Sequence, residues 1–304
     1  MTTTPLPVHT DDRGAPVLIV ELKQDAPVVV LDKPLLEALD QTLASLDLEG
    51  VAGVVVASAS EKVFVAGADL KAVRDLSDAD LMAYLEFGAS VFARLHQMPV
   101  WTAAAINGAA LGGGLELAMH CDGLIGAPGN KPYPVGLPEA GLGICPGWGG
   151  TNLLPARITP GVAIEKTASG TPLPYPEAAD AGLFDLIAND AGGLRQLAAD
   201  WIRGQGPAPT RDGAPLKWIG RDPAPVREAL KAIEDSLPDT GAASAVAEAV
   251  AVGLGTAPQD PTGPLGQTGG GWDAALKSER QHLVRLRHEP AGREAIDAFF
   301  SRGK

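Results

Sequence analysis

Trp101-Thr102-Ala103-Ala104-Ala105-Ile106-Asn107-Gly108-Ala109-Ala110-Leu111-Gly112-Gly113-Gly114-Leu115-Glu116-Leu117 decides the fold class. Trp101 to Ile106 reads as a short apolar strand that enters a glycine segment, and Leu115 to Cys121 reads as a helix. Gly112-Gly113-Gly114 therefore lies at a strand-to-helix transition, where the first amides of a helix have no intrahelical partner. Those N–H groups and the helix dipole suit an oxygen carrying partial negative charge. Taken alone, a glycine triplet is as well read as a flexible turn, and Glu116 as a solvated helix residue.

Outward from that stretch the chain alternates strand and helix. Val17-Leu18-Ile19-Val20-Glu21-Leu22 is rich in branched residues and reads as a strand. Asp32 can cap a helix with Pro34 in its first turn, in which Leu35, Leu36, Leu39, Leu43 and Leu46 form one apolar stripe. Val51 to Ala57 is a continuous apolar run, as expected of a strand covered on both faces. Asp80 to Leu95 reads as a helix stopped before Pro99, and Gly123 to Ala127 as a short strand. Repeated alternation of this kind predicts an α/β fold with parallel pairing. After about Ile202 the texture changes. Gly204 to Pro225 is rich in Pro and Gly and reads as a linker. Val226 to Leu237, Trp272 to Arg287 and Ala291 to Phe300 read as helices, Gly241 to Gly255 is rich in Ala and Val, and Asp260 to Gly271 is again Pro/Gly-rich. The expected organisation is a core over 1–203, followed over 204–304 by a linker and a C-terminal helical region.

Composition restricts the function classes. The formal net charge of −13 argues against a nucleic-acid surface, which needs clustered Lys and Arg. It also requires any anionic ligand to be met by local cations. The first residues, Met1-Thr2-Thr3-Thr4-Pro5-Leu6-Pro7-Val8, lack a basic start and an apolar run, so no secretory signal is expected. No stretch is long and apolar enough for a membrane span; Ala242 to Leu254 comes nearest and contains Glu248. Cys121 and Cys145 form neither a disulfide framework nor a zinc pattern, and a reducing, cytoplasmic setting is expected. The five histidines show no metal-ligand spacing. The glycines form neither G-x-G-x-x-G nor a P-loop, and G-x-S-x-G is absent, so dinucleotide, nucleotide-triphosphate and serine-hydrolase readings lack support.

Two further segments complete a set. Phe64-Val65-Ala66-Gly67-Ala68-Asp69-Leu70-Lys71 lies upstream. Downstream is Gly136-Leu137-Pro138-Glu139-Ala140-Gly141-Leu142-Gly143-Ile144-Cys145-Pro146-Gly147-Trp148-Gly149-Gly150-Thr151. In this order the three segments resemble the crotonase family, the enoyl-CoA hydratases and isomerases. The resemblance runs from about Val17 to about Leu186 and returns near Ser278 to Lys304. It implies a crotonase-like spiral of ββα units. It also implies an acyl-CoA thioester as substrate, no cofactor beyond the coenzyme A of that substrate, and no metal.

Site residues carry over one by one. The Gly113 and Ala68 N–H groups match the two donors that polarise the thioester carbonyl and stabilise its enolate. Glu116 and Glu139 match the two catalytic glutamates. In the family mechanism both hold one water, Glu116 acts as base towards it, and Glu139 donates a proton to the α-carbon. The two lie 23 residues apart, a few more than in short hydratases, and Lys131-Pro132-Tyr133-Pro134 accounts for the extra length. Ala66 and Lys71 match the coenzyme A-binding segment. Lys71 reads equally well as a solvated surface lysine, and Asp69 as a helix cap. Phe299 and Arg302 match positions that in trimeric relatives reach the coenzyme A of a neighbouring subunit. Trp148 stands where a smaller residue is frequent, either narrowing the acyl pocket or simply packing. Relatives form trimers or dimers of trimers, and the apolar stripes of the last two helices call for a partner surface, so a homotrimer or homohexamer is expected. The activity implied is hydration of a 2-trans-enoyl-CoA. The alternatives are Δ3,Δ2-enoyl-CoA isomerisation or another crotonase-family acyl-CoA reaction, and a binding or scaffold protein that keeps the fold without turnover.

Overall fold

The computed structural model describes residues 4–26, 28–256 and 271–301. Along the chain, strands β1 (Val8–Asp11) and β2 (Val17–Leu22) precede helix α1 (Lys33–Ser45). Asp32 caps α1 by accepting from the Leu35 N–H at 2.9 Å. Next come β3 (Gly53–Ser58), β4 (Val63–Val65), α2 (Leu70–Asp75) and α3 (Asp78–Gln97). The glycine region contributes β5 (Trp101–Ile106), β6 (Ala109–Leu111), α4 (Gly113–Met119), β7 (Gly123–Gly126) and β8 (Pro134–Gly136). After these follow α5 (Gly150–Leu153), α6 (Pro160–Ser169), β9 (Leu173–Pro174), α7 (Tyr175–Asp180), β10 (Leu186–Ile187) and α8 (Ala191–Arg203). The last four helices are α9 (Pro223–Ile233), α10 (Gly241–Gly253), α11 (Trp272–Leu286) and α12 (Pro290–Ser301).

The chain forms two compact units, each assembled from three stretches. One comprises Met1–Ala68, Phe87–Val135 and Leu173–Leu216; the other comprises Asp69–Glu86, Gly136–Pro172 and Lys217–Lys304.

The first unit is built on a six-stranded sheet of order β1-β2-β3-β5-β7-β10. From β2 to β10 the pairing is parallel, as the strand–helix alternation predicts, with Val54 opposite Leu18 and Thr102, and Ala104 opposite Leu124. β1 pairs antiparallel to β2 at one edge. One face of this sheet buries Ile19, Val55, Ala103, Ala105 and Ile125 against Leu194, Ala198 and Ile202 of α8. A second sheet, of order β4-β6-β8-β9, lies in the same region of the chain. The Pro/Gly-rich stretch after Arg203 is strapped down here rather than free. Arg211 donates to both carboxylate oxygens of Asp122 (2.6 and 2.9 Å) and to the carbonyls of Met98 and Val100 (2.8 and 2.9 Å). Asp122 in turn accepts from the Thr102 N–H and hydroxyl. Both charges are thus hydrogen-bonded, the condition under which a buried ion pair is tolerated.

The second unit is helical. Its core joins Ile164 of α6, Ile219, Val226 of α9, Val250 of α10 and Leu254. α10 packs against α5, α6 and α11, which explains why its sequence is apolar on nearly every side. The expectation that α11 needs a partner surface is corrected here. Its stripe of Trp272, Ala275, Leu276, Leu283 and Leu286 is already buried, and α11 packs against α10 of the same chain. At the C-terminal end of α11, Arg287 donates to the Val73 carbonyl at 2.7 Å and pairs with Asp78.

Candidate active site

The predicted donors arise from adjacent parallel strands. β4 and β6 pair in parallel, with Val65 opposite Ala110. Each strand then runs on through a glycine with positive φ, Gly67 at +121° and Gly112 at +51°. These are conformations that side chains resist. A Cβ on Gly67 would lie 3.1 Å from the Leu111 carbonyl oxygen, so the two strand ends travel together. Ala68 follows the first glycine and Gly113 the second. Both therefore emerge at the same, carboxyl, end of one strand pair. Neighbouring amides are engaged, the Ala66 N–H with the Val29 carbonyl (2.8 Å) and the Leu31 N–H with the Gly67 carbonyl (2.9 Å). Gly113 begins α4, whose N-terminus has no side-chain cap. Gly114 has a different requirement: a Cβ there would lie 2.3 Å from the Val65 carbonyl oxygen, so only glycine lets α4 sit against β4.

Glu116 is one turn into α4 and is 1% exposed, so the α4 N-terminus places a buried carboxylate three residues from the Gly113 amide. Behind it, at the C-cap of α4, His120 packs on the edge of Phe92 and meets His96, the two Nδ1 atoms 2.9 Å apart. His96 Nε2 faces the Gly213 carbonyl at 3.1 Å, and a carbonyl only accepts, so this nitrogen has the proton. Burial pulls the His96 imidazole down to about 4 and keeps it neutral. Its Nδ1 is then an acceptor and His120 Nδ1–H the donor, a tautomer assigned from the network.

Glu139 belongs to the second unit, in a single 3-10 turn, Glu139–Leu142. The residue is half-buried, but its Oε2 is shut off from solvent and meets no hydrogen-bonding group among the described residues. Burial, and secondarily the charge of Glu279, push the Glu139 carboxyl up to about 8. Such a group is still largely protonated at pH 7.

Glu279 is a buried glutamate that sequence reasoning missed. It lies on α11, is 0% exposed, and caps the turn that opens α5, Gly149–Thr151, ten residues after Glu139. Its Oε2 accepts from the Gly149 N–H (2.5 Å) and its Oε1 from the Thr151 N–H (2.8 Å) and hydroxyl (2.5 Å). Its signal was available: Trp272, Leu276, Glu279, Leu283 and Leu286 share helical spacing, so the glutamate interrupts an apolar stripe. Trp148, one residue before this turn, packs: it is 1% exposed, donates to the Leu85 carbonyl at 2.8 Å and meets Tyr84 edge-on.

Of the predicted coenzyme A contacts, Ala66 lies in the first unit beside the donor strand. Lys71 is exposed on α2, which Asp69 caps through the Lys71 N–H (2.9 Å). Phe299 is 54% exposed on α12, which packs against α2. The second unit thus brings Lys71 and Phe299 onto neighbouring helices, joined by Arg74, whose guanidinium stands 4.3 Å from the Phe300 ring centre. Arg302 lies outside the described residues. Among the described residues no group of three or more His, Cys, Asp or Glu could hold a metal ion, and no helix is long and apolar enough to cross a membrane.

The enoyl-CoA hydratase/isomerase family model matches residues 12–203, and the chain belongs to that family. It is 35% identical over 180 residues to a crotonyl-CoA hydratase of Syntrophomonas wolfei, a match covering 56% of this chain and 68% of the relative. To an enoyl-CoA isomerase/hydratase, fer4, of Mycosarcoma maydis it is 42% identical over 135 residues, 44% of this chain and 48% of the relative. The matched segments thus span from about half to two thirds of these relatives' lengths. Among solved structures, an enoyl-CoA hydratase from Bacillus anthracis superposes with a TM-score of 0.59 at 25% identity, covering 97% of this chain and 96% of that one. The human mitochondrial Δ3-Δ2-enoyl-CoA isomerase gives 0.66 at 22% identity over 97% of each chain, a likeness of fold.

Proposed function

We propose that the chain is an enoyl-CoA hydratase that adds water across the 2-trans double bond of an enoyl-CoA thioester. The supporting observation is the buried Glu116, one helical turn after the Gly113 amide on the same short helix. In this reading the Ala68 and Gly113 N–H groups receive the thioester oxygen as it gains charge, and Glu116 takes a proton from the attacking water. Glu139, holding its proton near neutral pH, delivers it to the α-carbon. Water adds as hydroxide to the β-carbon and proton to the α-carbon, so no redox partner or metal enters the balance. Lys71 and Phe299, with Arg74 beside them, are the proposed coenzyme A contacts, and cations of this kind are needed on a chain with net charge −13. No cofactor beyond the coenzyme A of the substrate is proposed.

Isomerisation between Δ3 and Δ2 enoyl-CoA needs only one acid/base, and Glu139 alone meets that need. The fer4 relative is named for both activities, which supports this second reading. Crotonyl-CoA and a longer 2-enoyl-CoA separate the two. A hydratase bleaches the conjugated enone absorbance of both, whereas an isomerase leaves them unchanged and generates that absorbance from a 3-enoyl-CoA. A homotrimer or homohexamer is proposed on the family resemblance alone. Light scattering at micromolar concentration reads it directly, and a monomer would sink it.

A further inference from the structure

The helix that begins with Gly113 and carries Glu116 is only seven residues long, Gly113–Met119. Two turns of helix move as one piece, so whatever holds the two ends sets where the Glu116 carboxylate stands. The N-terminal end is pinned by close packing, since a Cβ on Gly114 would lie 2.3 Å from the Val65 carbonyl oxygen. Polar contacts that the reaction does not use hold the C-terminal end. His120 is the C-cap of α4, and its N–H reaches back to the Glu116 carbonyl at 3.1 Å. Its buried ring donates through Nδ1 to Nδ1 of the buried His96 at 2.9 Å, and His96 donates through Nε2 to the Gly213 carbonyl at 3.1 Å. Two residues beyond the cap, Asp122 accepts from Arg211 at 2.6 and 2.9 Å. The stretch from Arg211 to Gly213 therefore grips the end of α4 twice, through the two imidazoles and through the ion pair. Trp101 Nε1 donates to the Gly206 carbonyl at 2.8 Å and ties the same segment to the start of β5.

We propose that His120 and His96 are positioning residues for Glu116: they clasp the C-terminal end of α4 to the 211–213 segment and fix the angle at which α4 presents its carboxylate. This inference rests on the reading of Glu116 as the base towards water. An imidazole suits position 96 because one flat ring accepts at one nitrogen and donates at the other. A phenyl ring fills the same space and does neither. His120 lies 24 residues from His96, and Gly213 lies 117 residues from it, so no local spacing announces the clasp. The stretch that reads as a linker in the sequence thereby takes part in building the helix of the site.

The unaltered full chain supplies the first test. Nitrogen-15 spectra of its imidazoles should show a proton on His96 Nε2 and on His120 Nδ1; a bare nitrogen at either place overturns the proposal. His120→Phe keeps a buried ring against Phe92 and removes the donor, whereas His120→Asn keeps a donor near the Nδ1 position. Amide hydrogen exchange at the end of α4, from Leu117 to His120, should quicken in His120→Phe and in His96→Phe and stay slow in His120→Asn. On crotonyl-CoA the two Phe variants should lose about 10–10²-fold in kcat, the cost of a small misplacement of a reacting group, with KM within about twofold. His120→Asn should recover most of that loss. Combined with Glu116→Gln, His120→Phe should cost little more, because residues acting through one carboxylate are not additive. A merely structural role would give the same fractional loss in both backgrounds. That additivity, unmoved exchange in the Phe variants, or a His120→Asn chain as impaired as His120→Phe would overturn the proposal. If the unaltered chain does not hydrate crotonyl-CoA, the proposed activity falls, and the spectra and the exchange still decide whether the clasp holds α4.

Discussion

Glu139→Gln should abolish both hydration and isomerisation, lowering kcat by about 10²–10⁴-fold, the usual contribution of a positioned acid or base. Glutamine keeps the shape of the side chain and removes the proton-transfer group, so protein folding and thioester binding should survive. Glu116→Gln should reduce hydration by a similar factor while sparing part of any isomerisation. Only hydration needs a base for water in addition to a group that shuttles a proton at the α-carbon. The pH dependence has a definite sign. As the proposed donor Glu139 works in its protonated form, and its carboxyl is pushed up to about 8 by burial and by Glu279. Hydration should therefore be sustained through neutral pH and decline as pH rises past that value, as donor turns into carboxylate. An unperturbed glutamate would already have lost its proton below pH 6. Steady-state assays of crotonyl-CoA hydration from pH 5 to 10 check both points. Near wild-type hydration by Glu116→Gln would show that the roles are wrongly assigned.

How much of this was legible in the sequence depended on length and on period. β5 is legible to the residue, because five apolar residues and one threonine between Pro99-Val100 and the glycine segment leave little choice. The long helices were found within a few residues for a related reason: α1 and α11 have stripes several turns long, and Asp32 gives an unambiguous cap. β4, β6, β8 and β9 span two or three residues each, too short to show a period of two, so the second sheet was hidden. That sheet nevertheless determines where Ala68 and Gly113 emerge. Their proposed roles rest on the family resemblance, while the reason they emerge together, a parallel pairing of β4 with β6, appears only in three dimensions. The tail shows the converse limit. The stripe of α11 was visible, but its partner was misjudged, because sequence periodicity shows that a face is buried and not what buries it. Glu279 was overlooked in that same stripe. A carboxylate among five apolar positions marks a buried polar contact, and such groups are retained only when hydrogen-bonded.

Gly113→Pro should cost far more in kcat than in affinity for the thioester. Gly113 is the first residue of α4, a position where proline's fixed φ is tolerated and the amide it lacks is one the helix does not use. Its predecessor Gly112 has no Cβ to clash with the proline ring, which eases the usual restriction before proline. The substitution therefore removes a hydrogen-bond donor with little demand on the helix. Charge on the thioester oxygen is greater in the enolate-like transition state than in the ground state, so the lost donor weakens the former more. Loss of about 10²–10³-fold in kcat is expected, or roughly 3–4 kcal/mol, with KM changed by a small factor. Gly113→Ala retains the N–H and isolates the steric part; it should keep most of the activity that proline removes. Binding of a non-reactive acyl-CoA by calorimetry, together with circular dichroism, separates loss of chemistry from loss of fold. A folded Gly113→Pro chain that binds the thioester and turns over within a few-fold of wild type would show that this amide does not meet the oxygen. The stabilisation would then have to come from the Ala68 N–H together with the remaining N-terminal amides of α4, those of Gly114 and Leu115.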